Sequence, residues 1–392
     1  MSSEVRVTVL LAAYNGGAYL HEAVDSVLAQ TFDDFELLIV DDGSTDGSVA
    51  GLPSDRRIRV LRNEHNIGQI PSLNRGLREA RGEYVARLDH DDVCLPRRLE
   101  AQVSVLDRLP RVALVGTWTD IVDTDGRLWT TVRPRIGSFN EFAADVVAGQ
   151  VFLVHPSLMF RRDVVLELGG FDESLSAAED HDLYRKLVLA RQDARVVEET
   201  LLRYRRHEQQ MTIANSAAVW ESDARSYDAF LRELAPEAPA STLRLLLRSD
   251  ARFWQEPALA DGELDRFLDA AATRLELDAA GRALVGRAVT ERAAATMVAG
   301  WLGDAAGGYR RQARELARFA RAHGAFRPRV LGQAYPLLAA TSGAGSVLGR
   351  VRALTARALR SEGVEPARRL ARRFRLLRRV YTRLLDTRAR DS

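Results

Sequence analysis

Over its first 120 residues the chain alternates short apolar runs with stretches of helical spacing, and few folds accept that order. Residues 5–12, 35–40, 58–61, 84–88 and 112–115 are rich in Val, Ile and Leu. Between them, Leu20, Ala23, Val24, Val27 and Leu28 recur at three- and four-residue steps. Ile70, Leu73, Leu77 and Ala80 do the same, as do Leu99, Val103 and Leu106. Strands alternating with amphipathic helices predict βαβ units and a mostly parallel sheet. Open sheets of this kind bind ligands at the carboxyl ends of their strands. Two acidic runs, Asp41-Asp42-Gly43-Ser44 and Asp89-His90-Asp91-Asp92, stand at that edge, each directly after a strand.

Beyond residue 120 the pattern changes. Gly126 marks a hairpin turn, 157–160 a short strand and 182–190 a helix. From about 213 onward the chain is mainly helical and rich in Ala, Leu and Arg, with a loop or linker at 235–240. In the arginine-rich 347–390 segment, Leu370, Phe374, Leu377, Tyr381 and Leu384 form an apolar stripe. Such a stripe suits either an anionic membrane surface or packing on the rest of the protein, with or without self-association to a homo-oligomer.

Composition removes several classes. A net charge of +2 gives no bulk attraction to nucleic acid. One cysteine, Cys94, excludes a disulfide framework and a Cys-based zinc site within the chain. The first strand lacks the basic start of a signal peptide, and no apolar run reaches the ~18 residues of a membrane span. The expected location is cytoplasmic, with peripheral membrane contact left open. Neither G-x-G-x-x-G nor a P-loop is present; the only lysine, Lys186, follows Arg185.

The acidic runs carry the chemistry. Asp89 and Asp91 place two carboxylates two residues apart after a strand. Oxygen-only ligands suit Mg²⁺ or Mn²⁺, and such a cation neutralises a diphosphate leaving group. A solvated turn that caps the next helix is the plain alternative. Residues 89–93 also match the D-x-D-x-[TV] pattern of haloacid-dehalogenase-type phosphatases, with Asp89 as nucleophile. That family carries the motif on its first strand and uses a later lysine, whereas here it falls on about the fourth. The Asp41–Asp46 run makes a poor EF-hand, since Asp46 stands where Gly is needed and Leu52 where Glu is needed. One of its carboxylates is a candidate acceptor for a nucleotide base.

Taken together, these segments resemble family 2 glycosyltransferases of the GT-A fold. The motifs are Leu11-Ala12-Ala13-Tyr14-Asn15, Gln30-Thr31-Phe32, and Val40-Asp41-Asp42-Gly43-Ser44-Thr45-Asp46. Asn66-Ile67-Gly68, Asn74-Arg75-Gly76-Leu77 and Arg81-Gly82-Glu83-Tyr84 follow, leading into Asp89-His90-Asp91-Asp92. His155-Pro156-Ser157, Gly169-Gly170-Phe171-Asp172-Glu173, Glu179-Asp180 and Tyr204-Arg205-Arg206-His207 complete the order, which ends near residue 215.

The resemblance implies a GT-A catalytic domain over 1–215, a Rossmann-like nucleotide-diphospho-sugar transferase sheet, followed by a helical region over 216–392. It implies an inverting transferase that moves a sugar from a nucleotide-sugar, UDP by default, to an acceptor hydroxyl, with Mn²⁺ or Mg²⁺ as cofactor. Cell-surface polysaccharide or glycoconjugate synthesis is the expected setting; glycan, lipid-linked and small-molecule acceptors all stay open. Ala13 and Tyr14 would lie against the donor nucleotide and Asp42 would accept from its base. Asp91 would ligate the metal, Asp89 would face the ribose or a metal-bound water, and His207 would stand near the metal or diphosphate. Asp180 is the expected general base, with Glu179 as the alternative, while His155 and Asp172 would shape the acceptor pocket. The Gln-x-x-Arg-Trp motif and membrane helices of processive synthases are missing, so single addition is expected. A non-catalytic sugar-nucleotide-binding relative is the rival of another class.

Overall fold

The computed structural model describes residues 5–151, 153–207, 210, 216–238 and 262–302. The arginine-rich 347–390 segment and the last two residues of the 235–240 loop lie outside them. The first strands form where the sequence places them. β1 (Val7–Ala13) and β2 (Phe35–Asp41) are buried along their whole length, and β4 (Tyr84–Asp89) along all but its last residue. Strands covered on both faces need unbroken apolar runs rather than alternation. With β3 (Ile58–Arg62) they form a parallel unit in the order β3-β2-β1-β4.

The other half of the sheet is mixed. β8 (Met159–Arg161) inserts antiparallel between β4 and β6 (Val112–Val122). β6 turns through Gly126, which has φ 78°, into the antiparallel β7 (Leu128–Val132). β9 (Asp193–Arg205) runs parallel to β6 and antiparallel to the two-residue β5 (Val93–Cys94). The expected strand at 157–160 is a single 3-10 turn, His155–Ser157, followed by β8. Its proline occupies the first turn, where the missing N–H costs nothing.

Two apolar layers sandwich the sheet. Val9, Leu11 and Ala13 of β1 face α1 (Gly17–Leu28) and α3 (Arg98–Arg108). Leu10 and Ala12 face the opposite layer, which contains α2 (Gln69–Glu79), α4 (Phe139–Val147), α5 (Arg162–Glu167) and α6 (Glu179–Leu189). The expected helix at 182–190 therefore begins one turn earlier, at Glu179. The later helices α7 (Ser216–Leu234), α8 (Glu263–Arg274) and α9 (Ala279–Leu302) continue this same layer. Tyr227, Phe230 and Leu231 of α7, Phe267 of α8 and Val289 of α9 share its core with Phe142 and Tyr184. Among the described residues no helix is long and apolar enough to cross a membrane.

Candidate active site

The carboxyl edge of β1, β2 and β4 brings the predicted residues to one side of the sheet. Ala13 ends β1, pairs with Asp41, and accepts the Asp42 N–H at 2.8 Å. Tyr14 follows with its ring 45% exposed. Asn15 takes a left-handed turn with φ 51° and stitches this loop to the next: its side-chain oxygen accepts Thr45 N–H, and its own N–H donates to Ser44 Oγ. Asp42 is buried. It accepts Asn63 Nδ2–H, Ile67 N–H and Gly68 N–H at 2.7 to 2.9 Å. This carboxylate shapes the β3–α2 loop.

The Asp89–Asp92 turn is held by residues 113 to 116 positions further along the chain. Asp92 N–H closes it onto Asp89 O, and β5 then pairs with β9. At the end of β9, Arg205 donates its backbone N–H to Asp92 Oδ1 and its Nε–H to Asp91 O. His207 Nε2 lies 2.8 Å from Asp91 Oδ2. Carboxylate oxygens of Asp89, Asp91 and Asp92 lie within 4.8 Å of one another. Burial, then the charges of Asp91 and Asp89, push the Asp92 carboxyl well above the usual range. Its Oδ2 is buried without a hydrogen-bond partner. Three crowded carboxyls with one orphaned oxygen fit a hard divalent cation, which would relieve the repulsion.

Asp89 and Glu179 each have a basic partner of their own. His155, on the 3-10 turn, places Nδ1 3.3 Å from Glu179 Oε1 at the start of α6. Arg87, buried within β4, donates Nη2–H to Asp89 Oδ1 at 2.5 Å. Burial works to raise both carboxyls and is overcome. Arg87, His155 and His90 hold Asp89 below the usual range, while His155, a backbone N–H and Arg87 do so for Glu179. Asp89 and Glu179, 90 residues apart in sequence, each have one of these two basic side chains as a direct partner. Asp180 engages one oxygen with His181 N–H at 2.9 Å and stays partly exposed. Asp172 caps its own turn by accepting Ser174 N–H.

Several of these residues escape a reading by motif. Arg87 and Arg98 are fully buried; Arg98 donates to Arg87 O, Leu158 O, Gln102 Oε1 and Cys94 Sγ. An arginine inside a buried apolar run is itself a signal, because such residues are rarely enclosed without a task. Gln69, which reaches Asp89 at 3.4 Å, carries no such signal. The lysine that a phosphatase would need is committed elsewhere: Lys186 Nζ binds Gly170 O at 3.0 Å and Asp182 at 2.9 Å.

Comparison with known proteins agrees with this geometry. The profile described as Glycosyl transferase family 2 matches residues 8–169. An uncharacterized glycosyltransferase of Methanocaldococcus jannaschii is 31% identical over 205 residues, covering 51% of this chain and 70% of that protein. The chain belongs to glycosyl transferase family 2. Its mixed α/β sheet is the GT-A arrangement, and the protein is a glycosyltransferase. An uncharacterized glycosyltransferase of Rickettsia felis is 31% identical over 191 residues, 46% of this chain but only 31% of that longer protein. The crystal structure of S. aureus TarS 1-349 in complex with UDP-GlcNAc has a TM-score of 0.49 at 19% identity, covering 83% of this chain and 92% of that one. The family match holds Tyr14, Asp42, Asp89, Asp91 and His155, and ends before Glu179, Asp180 and His207.

Proposed function

We propose that this family 2 glycosyltransferase is an inverting, single-addition enzyme that transfers a sugar from a nucleoside-diphosphate donor, UDP by default, to an acceptor hydroxyl. Residues 1–215 supply the catalytic domain, and cell-surface polysaccharide or glycoconjugate synthesis is the setting. The observation that carries this reading is the Asp89–Asp91–Asp92 carboxylate triad at the carboxyl edge of the sheet, with its orphaned Asp92 oxygen. Tyr14 offers its exposed ring to the donor base, and Asp42 organises the β3–α2 loop. Asp89, Asp91 and Asp92 would hold Mn²⁺ or Mg²⁺, with His207 orienting Asp91. When bound, that cation supplies charge neutralisation for the departing diphosphate.

Proton removal falls to Asp180 rather than Glu179. Glu179 is buried and engaged with His155, which suits it to orientation. Among the described residues only one oxygen of Asp180 is engaged, at the first turn of α6. There it takes the acceptor proton while the hydroxyl oxygen attacks the anomeric carbon, and the bond to the diphosphate breaks on the opposite face.

The test is a donor screen with Mn²⁺ or Mg²⁺ that detects released nucleoside diphosphate, repeated with Asp180→Asn. Turnover falls by about 10²–10⁴-fold with donor affinity unchanged. Glu179→Gln, which keeps a hydrogen bond to His155, costs less. Full turnover by Asp180→Asn would sink the base assignment. A peripheral contact with the cytoplasmic face of an anionic membrane through 347–390 completes the proposal. It predicts that the full chain pellets with anionic liposomes and that a chain ending near residue 345 does not.

A further inference from the structure

Helix α7 lies beyond the family match and grips the part of the molecule that carries the catalytic pair. Ser222, Asp223, Ser226 and Tyr227 line one face of it, at the spacing that places side chains one turn apart together. Asp223 Oδ1 lies 3.0 Å from His181 Nδ1 and also accepts Arg185 Nη2–H. Ser226 Oγ–H donates to Asp182 Oδ1 at 2.7 Å. Ser222 Oγ accepts Ser176 N–H and lies 2.8 Å from Ser176 Oγ. Tyr227 donates to Val147 O at 2.6 Å, and the Arg185 guanidinium sits 5.0 Å above its ring. The contacts bracket Asp180, from Ser176 before it to Arg185 after it.

Docking alone does not call for this arrangement. The lower part of α7 already buries Phe230, Leu231 and Leu234 in the core. Buried polar contacts add little net stability, but they specify geometry. The segment they span also contains Ala178, a non-glycine residue at φ 63° that caps α6. Such conformations persist only where their surroundings over-determine them, and they gather at functional sites. His181 stands between two carboxylates. Burial alone would lower its pKa, but Asp180 and Asp223 raise it above the ordinary histidine value.

We propose that α7 is a working part of the active site and that Asp223 is a positioning residue, which fixes His181 and Arg185 on α6 and thereby sets the Asp180 carboxylate. This inference rests on the assignment of Asp180 as the base.

The experiment uses the full chain and the nucleotide-sugar that the donor screen identifies, with released nucleoside diphosphate as the signal. Asp223→Asn preserves shape and removes charge. We expect kcat to fall at least tenfold, with the donor KM within twofold, at a temperature where the variant is still folded. In an Asp180→Asn background the same substitution changes turnover less than twofold, because Asp223 acts through that carboxylate. His181→Gln cuts the link from the other side and gives the same signature should Asp223→Asn fold poorly. Arg232→Gln, on the exposed side of the same helix, leaves kcat unchanged. Wild-type turnover by Asp223→Asn, or a full tenfold loss that persists without Asp180, overturns the inference. Full activity of Asp180→Asn is a separate outcome that removes the base assignment and the inference with it.

Discussion

Gly82 offers a quantitative test of how the D-x-D strand is seated. It precedes β4 by two residues and lies against β1. A methyl group built at this position would meet Thr8 N at 2.4 Å, Val7 C at 2.7 Å and Tyr84 O at 2.8 Å. All three atoms are backbone, so no rotamer change relieves the overlap. The surroundings are equally fixed: Gly82 N–H donates to Thr8 Oγ, and Thr8 donates to the buried Glu36, which also takes Arg59 and the Arg81 N–H. Overpacking a rigid interior costs about 1–3 kcal/mol, and a backbone clash belongs at the upper end. Gly→Ala returns only about 0.4–1 kcal/mol through the unfolded chain. The clash wins, and Gly82→Ala should destabilise by about 2 kcal/mol. For a domain of this size that lowers the unfolding temperature by roughly 4–8 °C. Relief by parting β1 from β4 would displace Asp89 at the other end of the strand. Donor and metal affinity should therefore fall at temperatures where the variant is still folded. Calorimetry and a metal titration read both effects. A Gly82→Ala protein as stable as the wild type would refute the reasoning.

Three further outcomes follow from buried charge. Arg98→Lys should cost about 3 kcal/mol in urea unfolding, because one ammonium cannot reach the two carbonyls and two side chains that the guanidinium serves. Asp91→Asn removes a carboxylate from the triad and alters the hydrogen-bond partner of His207. Mn²⁺ affinity by titration calorimetry should drop at least tenfold, while metal-free stability changes little. The raised pKa of His181 gives a signed pH dependence. Its contribution is complete below the unfolded value near 6.5 and is lost as pH rises through the higher folded value. The Asp223 carboxyl is held far below the usual range, so it stays ionised and adds no slope in this window. Unfolding between pH 5 and 9 should show wild-type stability declining at the alkaline end, with the decline smaller in His181→Gln.

How much of the molecule its sequence reveals depends on how local each determinant is. The β3-β2-β1-β4 unit is legible because its central strands are buried on both faces and must be apolar throughout, with amphipathic helices between them. The acidic runs are legible for a related reason, since a carboxylate cluster directly after a buried strand has no packing role. These two local signals together point to the α/β class, the ligand-binding edge and the acidic runs that hold Asp42, Asp89 and Asp91, whereas Asp180 is singled out only by the family resemblance. The mixed half of the sheet is another matter. β8 has three residues, too few for any periodicity, and its place between β4 and β6 is decided by pairing across more than 40 residues of sequence. β9 carries Arg and Glu along its exposed stretches and shows no apolar run, yet its end locks Asp91 and Asp92 from 113 residues away. Only the tertiary structure brings His155 onto Glu179, and only it sets Asp223 over α6. Hydrogen bonds and charge interactions between distant segments leave no spacing in the sequence to read, because the chain fixes the chemistry of each partner while folding alone fixes which partners meet.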